Sequence, residues 1–288
     1  MPPENQKNSP LQPQDISLIT TNQEGKIPPS IVQGLQCFFE SIQRHGLGMM
    51  KLMADSGKNP IQEVGQDPGL LVKGFKSRFA YEMLATYPSL VVSQMVDKET
   101  PKYQISALTA FFETSIGTPL EVNGSRNSLK SLGKDIASPK DFAHTTRAAF
   151  LPFLCRNYLG WLVINGDEKD PVKKAGLGGL AGLISSPLDS LGNRAMLTSD
   201  SSKTLAETYL EAAKKIKVAD MAKAAPIRFV ASAVTAIVLS NQTKEFLSEV
   251  LNPVYQAAMR SEPKNPQTNI EAISTAKLIK ELEQVNER

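Results

Sequence analysis

One pattern, Pro-Leu-acid, returns at a matched place in the chain and limits its fold more than any other feature. Thr118-Pro119-Leu120-Glu121 is answered 68 residues later by Ser186-Pro187-Leu188-Asp189, and each proline has an arginine seven residues beyond it, Arg126 and Arg194. Phe38-Phe39-Glu40-Ser41 returns after 73 residues as Phe111-Phe112-Glu113-Thr114. A third landmark is an arginine about one turn into a helical stretch: Arg78 in KGFKSRFAYEML, Arg156 in FLPFLCRNYLGW and Arg228 in APIRFVASAV. Self-similarity at a fixed period is the mark of a repeat architecture. The unit is a long helix, a polar link and a second helix with an early arginine. It occurs three times, over 29–101, 102–170 and 171–250, with tails at 1–28 and 251–288.

Within these units helix formers and apolar spacings of three and four dominate, and no hairpin turn or strand alternation appears, so the predicted class is all-α. A proline inside a helix removes one backbone bond and kinks the axis, so bends are expected at Pro119 and Pro187. Gly176, Gly178, Gly179 and Gly182 give the third unit a small-residue face on which another helix can lie close. Residues 1–28 are polar and proline-bearing and are expected to be a disordered tail, without the apolar core of a secretory signal. At the other end Ile270, Ile273, Ala276, Ile279 and Leu282 predict an amphipathic helix over 269–288.

Composition excludes several functions. Two cysteines, Cys37 and Cys155, cannot staple 288 residues and are expected as packed thiols. Two histidines, His45 and His144, are too few for a histidine-based metal site, and His45 is expected as a satisfied helix-end residue. No metal or cofactor is expected. No Ser-His-Asp order and no paired carboxylates with a cofactor signature stand out, so no enzyme is expected. A net charge of +3 is too small a surplus to call for a nucleic-acid partner.

The three units resemble the mitochondrial carrier family, whose odd-numbered helices carry Pro-x-Asp/Glu-x-x-Lys/Arg. GLGGLAGLISSPLDSLGNRAML, with Pro187 and Asp189, matches best, and FFETSIGTPLEVNGSR keeps Pro119 and Glu121. FFESIQRHGLGMMKLM has Gly46 and Gly48 where proline and acid belong, but Lys51 where the base belongs. The even helices, in CRNYLGWLVIN and IRFVASAVTAIVLSNQTKEF, are most similar to those of adenine-nucleotide carriers. The resemblance implies six transmembrane helices in three tandem pairs, with pseudo-threefold symmetry around a central cavity. It also implies a monomer in the mitochondrial inner membrane, of a host cell if the source is a bacterium. The partners implied are the lipid bilayer and an anionic metabolite, most plausibly ATP or ADP, moved by alternating access.

Arg78, Arg156 and Arg228 are the expected substrate ligands. An ionisable group in a spanning helix is costly and faces a wet path, and guanidinium binds phosphate bidentately. In the family each acid pairs with a neighbouring unit's base. By position only Asp189 with Lys51 survives here; Glu121 would face Gly192, and Gly48 would face Gly124. Glu121 is therefore expected to stay wet or to borrow Arg126 or Arg194, which makes this gate weak and favours one-way movement over strict exchange. The opposite rim offers Ser93-Gln94, Asn165 and Ser240-Asn241-Gln242 instead of charges. Trp161 and Tyr158 are expected in an interfacial belt. Charge-free runs reach only 14 and 15 residues, at 83–96 and 229–243, short of the ~18 that flag a span. A helix facing lipid on one side and a cavity on the other needs only half its surface apolar, and weakly apolar helices would let a bacterial carrier avoid insertion into the bacterium's own membrane. The competing expectation is a soluble all-α interaction or effector protein.

Overall fold

The computed structural model describes residues 26–97 and 99–261, and every regular element in them is helical. The predicted tail up to residue 25 and the helix over 269–288 lie outside the described residues. Contacts separate two units, 28–249 and a second formed by Met1–Ile27 with Val250–Arg288. In the second, the Ile27 N–H donates to Asn252 Oδ1 at 3.0 Å.

The order of helices in the larger unit is long, short, long, three times over. Helix α1 (Pro29–Asp55) is followed by α2 (Pro60–Gln66), a 3-10 turn (Pro68–Leu71), and a broken helix made of α3 (Phe75–Tyr81), a π-helical turn (Glu82–Thr86) and α4 (Tyr87–Met95). Then come α5 (Lys102–Gly124), α6 (Arg126–Ser131) and α7 (Pro139–Ile164). The last set is α8 (Pro171–Ile184) with α9 (Ser186–Thr198), α10 (Leu205–Lys215) and α11 (Val218–Val238), after which α12 (Asn241–Ser261) begins. Caps explain many of the starts. Asn59, Ser138 and Asp170 each accept a backbone N–H of the turn they open, and Thr204 with Glu207 forms a full capping box. On α10, Lys203 and Lys215 both donate to Glu211 and hold its carboxyl down to about 2.

Each long segment packs on the next. The α1 helix touches α3, α3 and α4 touch α5, α5 touches α7, α7 touches α8 and α9, α8 touches α11, and α11 returns to α1. The ring is therefore closed. The two prolines act differently within it. Pro187 is the second residue of α9, after Ser185 has interrupted the helix, whereas α5 runs unbroken through Pro119 to Gly124. The α8 helix lies close on α11. A Cβ at Gly178 would lie 2.7 Å from the Ser232 carbonyl, one at Gly182 would lie 2.7 Å from the Arg228 carbonyl, and Gly179 sits on the Phe229 ring. Gly176, by contrast, has nothing within 4 Å.

Polarity runs opposite to the usual globular order. Glu40, Asp55, Glu82, Glu113, Asp189 and Arg228 are each no more than 2% exposed. Outside, Phe39, Ile42, Leu108, Phe111, Leu151, Leu180, Ile184 and Val230 are 48–69% exposed. Only α11 among the described residues is long and apolar enough as a whole to cross a membrane, with a mean hydropathy of 1.4 over its best window.

The glycine face yields a controlled test. Gly182→Leu drives a branched side chain into the α11 backbone and is expected to lower stability by about 1–3 kcal/mol or more. Gly176→Leu meets open space and is expected to be neutral or slightly stabilising, since it removes a glycine from a helix. Thermal unfolding of the two purified variants checks the contrast; equal shifts would sink it.

Candidate functional site

One continuous run of ion pairs joins every long segment of the ring. Arg78 on α3 lies 3.4 Å from Glu121 on α5, and Glu121 lies 3.2 Å from Arg156 on α7. Arg156 reaches Asp189 on α9 at 3.0 Å, and Asp189 accepts from Arg228 on α11, also at 3.0 Å. Arg228 reaches Asp55 on α1 at 2.5 Å, and Lys51, one turn earlier on α1, sits 3.4 Å from Asp189. Hydroxyls and an amide fill the remaining positions: Ser186 and Ser190 accept from Arg228, and Ser190 and Asn193 donate to Asp55. Buried carboxylates are stable only with such partners, because the desolvation cost of each ion is several kcal/mol.

This arrangement corrects several expectations. The Lys51–Asp189 pair forms as the resemblance implies. Glu121 is not bonded to Arg126 or Arg194; it lines the cavity and holds Arg156 and Arg78. Arg126 lies over the Phe142 ring, and Arg194 pairs with Asp220 at 2.9 Å. Gly192 faces Phe153 and Pro152, and Gly48 faces Arg78. The gate expected to be weak is thus densely tied. Arg78 is indeed one turn into its helix, but Arg156 and Arg228 sit mid-helix, because α7 and α11 begin far earlier than the arginine landmark suggests.

Arg78 and Arg156, together with Lys51 and Glu121, line a cavity of about 80 Å³ to which every long segment contributes. Arg228 does not line it; its guanidinium is sealed between Asp55 and Asp189. At ~30 Å³ per water the cavity holds only a few waters. Toward the amide rim it ends at an apolar layer of Cys37, Leu90, Ala110, Trp161, Ile164 and Leu239. Beyond that layer a second cavity, of about 110 Å³, is lined by Ser93, Gln94, Asn165 and Asn241 among others. Rim amides do bond across helices, though not to one another. Asn165 donates to Ser106, Gln94 accepts from Lys244, and Gln242 donates to the carbonyls of Glu168 and Lys169.

Sequence reasoning missed a second charge group, two of whose members, Arg44 and Glu113, line the same cavity. Arg44 on α1 reaches Glu40 at 2.7 Å, Glu113 at 3.0 Å and Glu82 at 3.3 Å. Trp161 is not in a surface belt: it is 1% exposed and donates Nε1–H to Glu113 Oε2 at 2.6 Å. Tyr158 packs on the same apolar layer. His45 is not at a helix end but in the body of α1, edge-on to Phe75. Cys37 is buried and Cys155 half-buried, both as free thiols. Among the described residues no cluster of His, Cys, Asp or Glu could hold a metal ion.

No protein-family model, no curated protein and no solved structure matches this chain.

Arg228 is the structural tie most sensitive to truncation. Arg228→Ala leaves Asp55 with no ion-pair partner and is expected to cost about 3–5 kcal/mol. The double change Asp55→Asn with Arg228→Ala is expected to cost clearly less than the sum of the two single changes. Unfolding midpoints of the four proteins of this cycle measure the coupling; strict additivity would refute a shared buried pair.

Proposed function

We propose that this chain is a membrane carrier of the mitochondrial carrier type, with six spanning segments in three tandem pairs around a central cavity. It moves an anionic metabolite, an adenine nucleotide above all, by alternating access. The observation that carries this reading is the reversed polarity: ionic groups fill the interior of a closed helical ring, while large apolar side chains cover its outside. In water such a distribution is unfavourable on both counts, since buried ions lose hydration and exposed apolar patches gain nothing. In lipid the outer face is solvated and the inner face is shared among the segments. The three sequence units start where α1, α5 and α8 start, at Pro29, Lys102 and Pro171, and the resemblance in the Pro-x-acid motifs supplies the family.

The lattice suggests how an anion would open the ring. Arg78 and Arg156 face the cavity while holding Glu121. A phosphate that takes these guanidinium groups replaces one carboxylate pair by another of similar strength. Exchange of partners costs far less than breaking the lattice into unpaired charges, so substrate binding itself releases the segments from one another. The cavity wall carries four bases, Arg44, Lys51, Arg78 and Arg156, against the two acids Glu113 and Glu121, a surplus that favours an anion there. Arg228 then acts by holding α11 to α1 and α9, and its loss acts through the fold rather than through affinity.

A second reading, a soluble all-α interaction protein, is favoured by one observation: a single described helix passes the hydropathy test for a span. Alkaline carbonate extraction separates the two. The carrier stays with the membrane, and release into the supernatant as a monodisperse detergent-free protein decides for the soluble reading. For substrate, proteoliposomes are expected to take up labelled ATP or ADP faster than phosphate. Arg156→Ala is expected to cut the initial rate at least tenfold, the effect of losing about 1.4 kcal/mol or more of charge-assisted binding. Full uptake by Arg156→Ala would remove this residue from the binding site.

A further inference from the structure

The repeated Phe-Phe-Glu motif of the first two units has no part in the transport lattice, yet its two acids, Glu40 and Glu113, meet in the interior. With Glu82 they place three carboxylates around one guanidinium, Arg44. Glu113 is fully satisfied. Its Oε1 accepts from Arg44, Tyr81 and Thr86, and its Oε2 from Trp161. Glu40 and Glu82 are not: each uses Oε1, for Arg44 in both and for Thr235 in Glu40. Oε2 of each is fully buried and has no hydrogen-bond donor among the described residues. The side chains themselves are 0% exposed.

The surroundings supply little more positive charge. Alpha-helix α1 contributes Arg44 and the Cys37 thiol, α3 contributes Arg78 and Tyr81, and α5 contributes Glu113. From α7 comes the neutral Trp161 and from α11 the hydroxyl of Thr235. Arg78 stands 3.9 Å from Glu82 but only 3.4 Å from Glu121, so it is divided between the two groups. Three ionised carboxylates, each no more than 1% exposed, facing one guanidinium leave an uncompensated negative charge, and a buried group in that position gives up its charge by taking a proton. Glu113 has four donors and Glu40 holds Arg44 at 2.7 Å and Thr235; Glu82, with Arg44 at 3.3 Å and a shared Arg78 at 3.9 Å, is the least compensated and takes the proton.

We propose that Glu82 is a proton site, and that the anion carried through the cavity moves with that proton. The coupling rests on the carrier reading above and runs through Arg78. An anion that draws Arg78 toward the cavity takes away the second cation near Glu82, which raises the affinity of Glu82 for a proton. Linkage makes the effect reciprocal: protonation of Glu82 frees Arg78 for the anion. Anion and proton therefore bind cooperatively on one side. Opening the apolar layer toward the amide rim wets the carboxylates, which lowers their proton affinity and releases both.

The test uses the full-length protein in proteoliposomes with the membrane potential clamped by potassium and valinomycin. An outside more acidic than the lumen by one pH unit is expected to raise initial ATP uptake by up to about tenfold, the limit for one coupled proton. A lumenal pH dye is expected to report acidification in step with uptake. Glu82→Gln is expected to abolish both the gradient dependence and the acidification. Uptake indifferent to the gradient in the wild-type protein, or undiminished dependence in the variant, overturns the proposal. The infrared carboxylic C=O stretch of the detergent-purified protein at neutral pH is a readout independent of transport. If the wild-type protein carries no ATP, ADP or phosphate, the carrier reading fails; a carboxylic band lost in Glu82→Gln then still establishes the proton site, and its absence removes it.

Discussion

Everything in the larger unit depends on the pairing of buried opposite charges. From Arg78 through Glu121, Arg156, Asp189 and Arg228 to Asp55, each link joins one long segment to the next, and the last returns to the first. An apolar core would hold a ring of helices equally well in water, and often better, since burying ions is costly. What apolar packing cannot do is let go on command. An ionic tie can be exchanged for a tie to a ligand of the same chemistry with little net change in energy. A ring that must both close and open is well served by such ties.

The rest of the packing is arranged around that constraint. On one side of the lattice lies an apolar cluster of Leu52, Val122, Leu129, Phe153 and Met196, and on the other the layer containing Trp161, Ile164 and Leu239. These layers keep water from the charges in the closed form, which strengthens each pair. The close contact of α8 with α11 has a different basis. There the glycines admit backbone to within van der Waals distance and dispersion replaces charge.

Legibility in the sequence divides along the same lines. The helical class and the long-short-long order could be read because periodicity and repeat spacing report them directly, and the Lys51–Asp189 pair because the resemblance in the Pro-x-acid motifs implies it. Asp55 could not: in KLMADSGK it looks like an ordinary acid at an exposed helix end, and only the fold turns it toward Arg228. Glu40 and Glu113 were visible as landmarks of the repeat, but nothing local to Phe-Phe-Glu says that the acid points inward. Trp161 misled because an indole near a helix terminus suits an interface as well as a buried carboxylate. The helix starts of α7 and α11 were hidden because Pro152 and Pro226 suggest boundaries that the helices in fact run through.

The same physics explains why hydropathy understates this chain. A window average mixes the two faces of a helix. In α1 the inner face carries Glu40, Arg44, Lys51 and Asp55, and the outer face carries Ile31, Phe38, Phe39 and Ile42. Their mean falls below any threshold for a span although the outer stripe alone is strongly apolar. The α11 helix passes because its inner face bears one ionic group at the lattice, Arg228, among alanine, serine and threonine. Hydropathy thus mixes the ionic groups these helices bury with the apolar faces they expose. A ring held by buried ions is the architecture for which that distinction matters most.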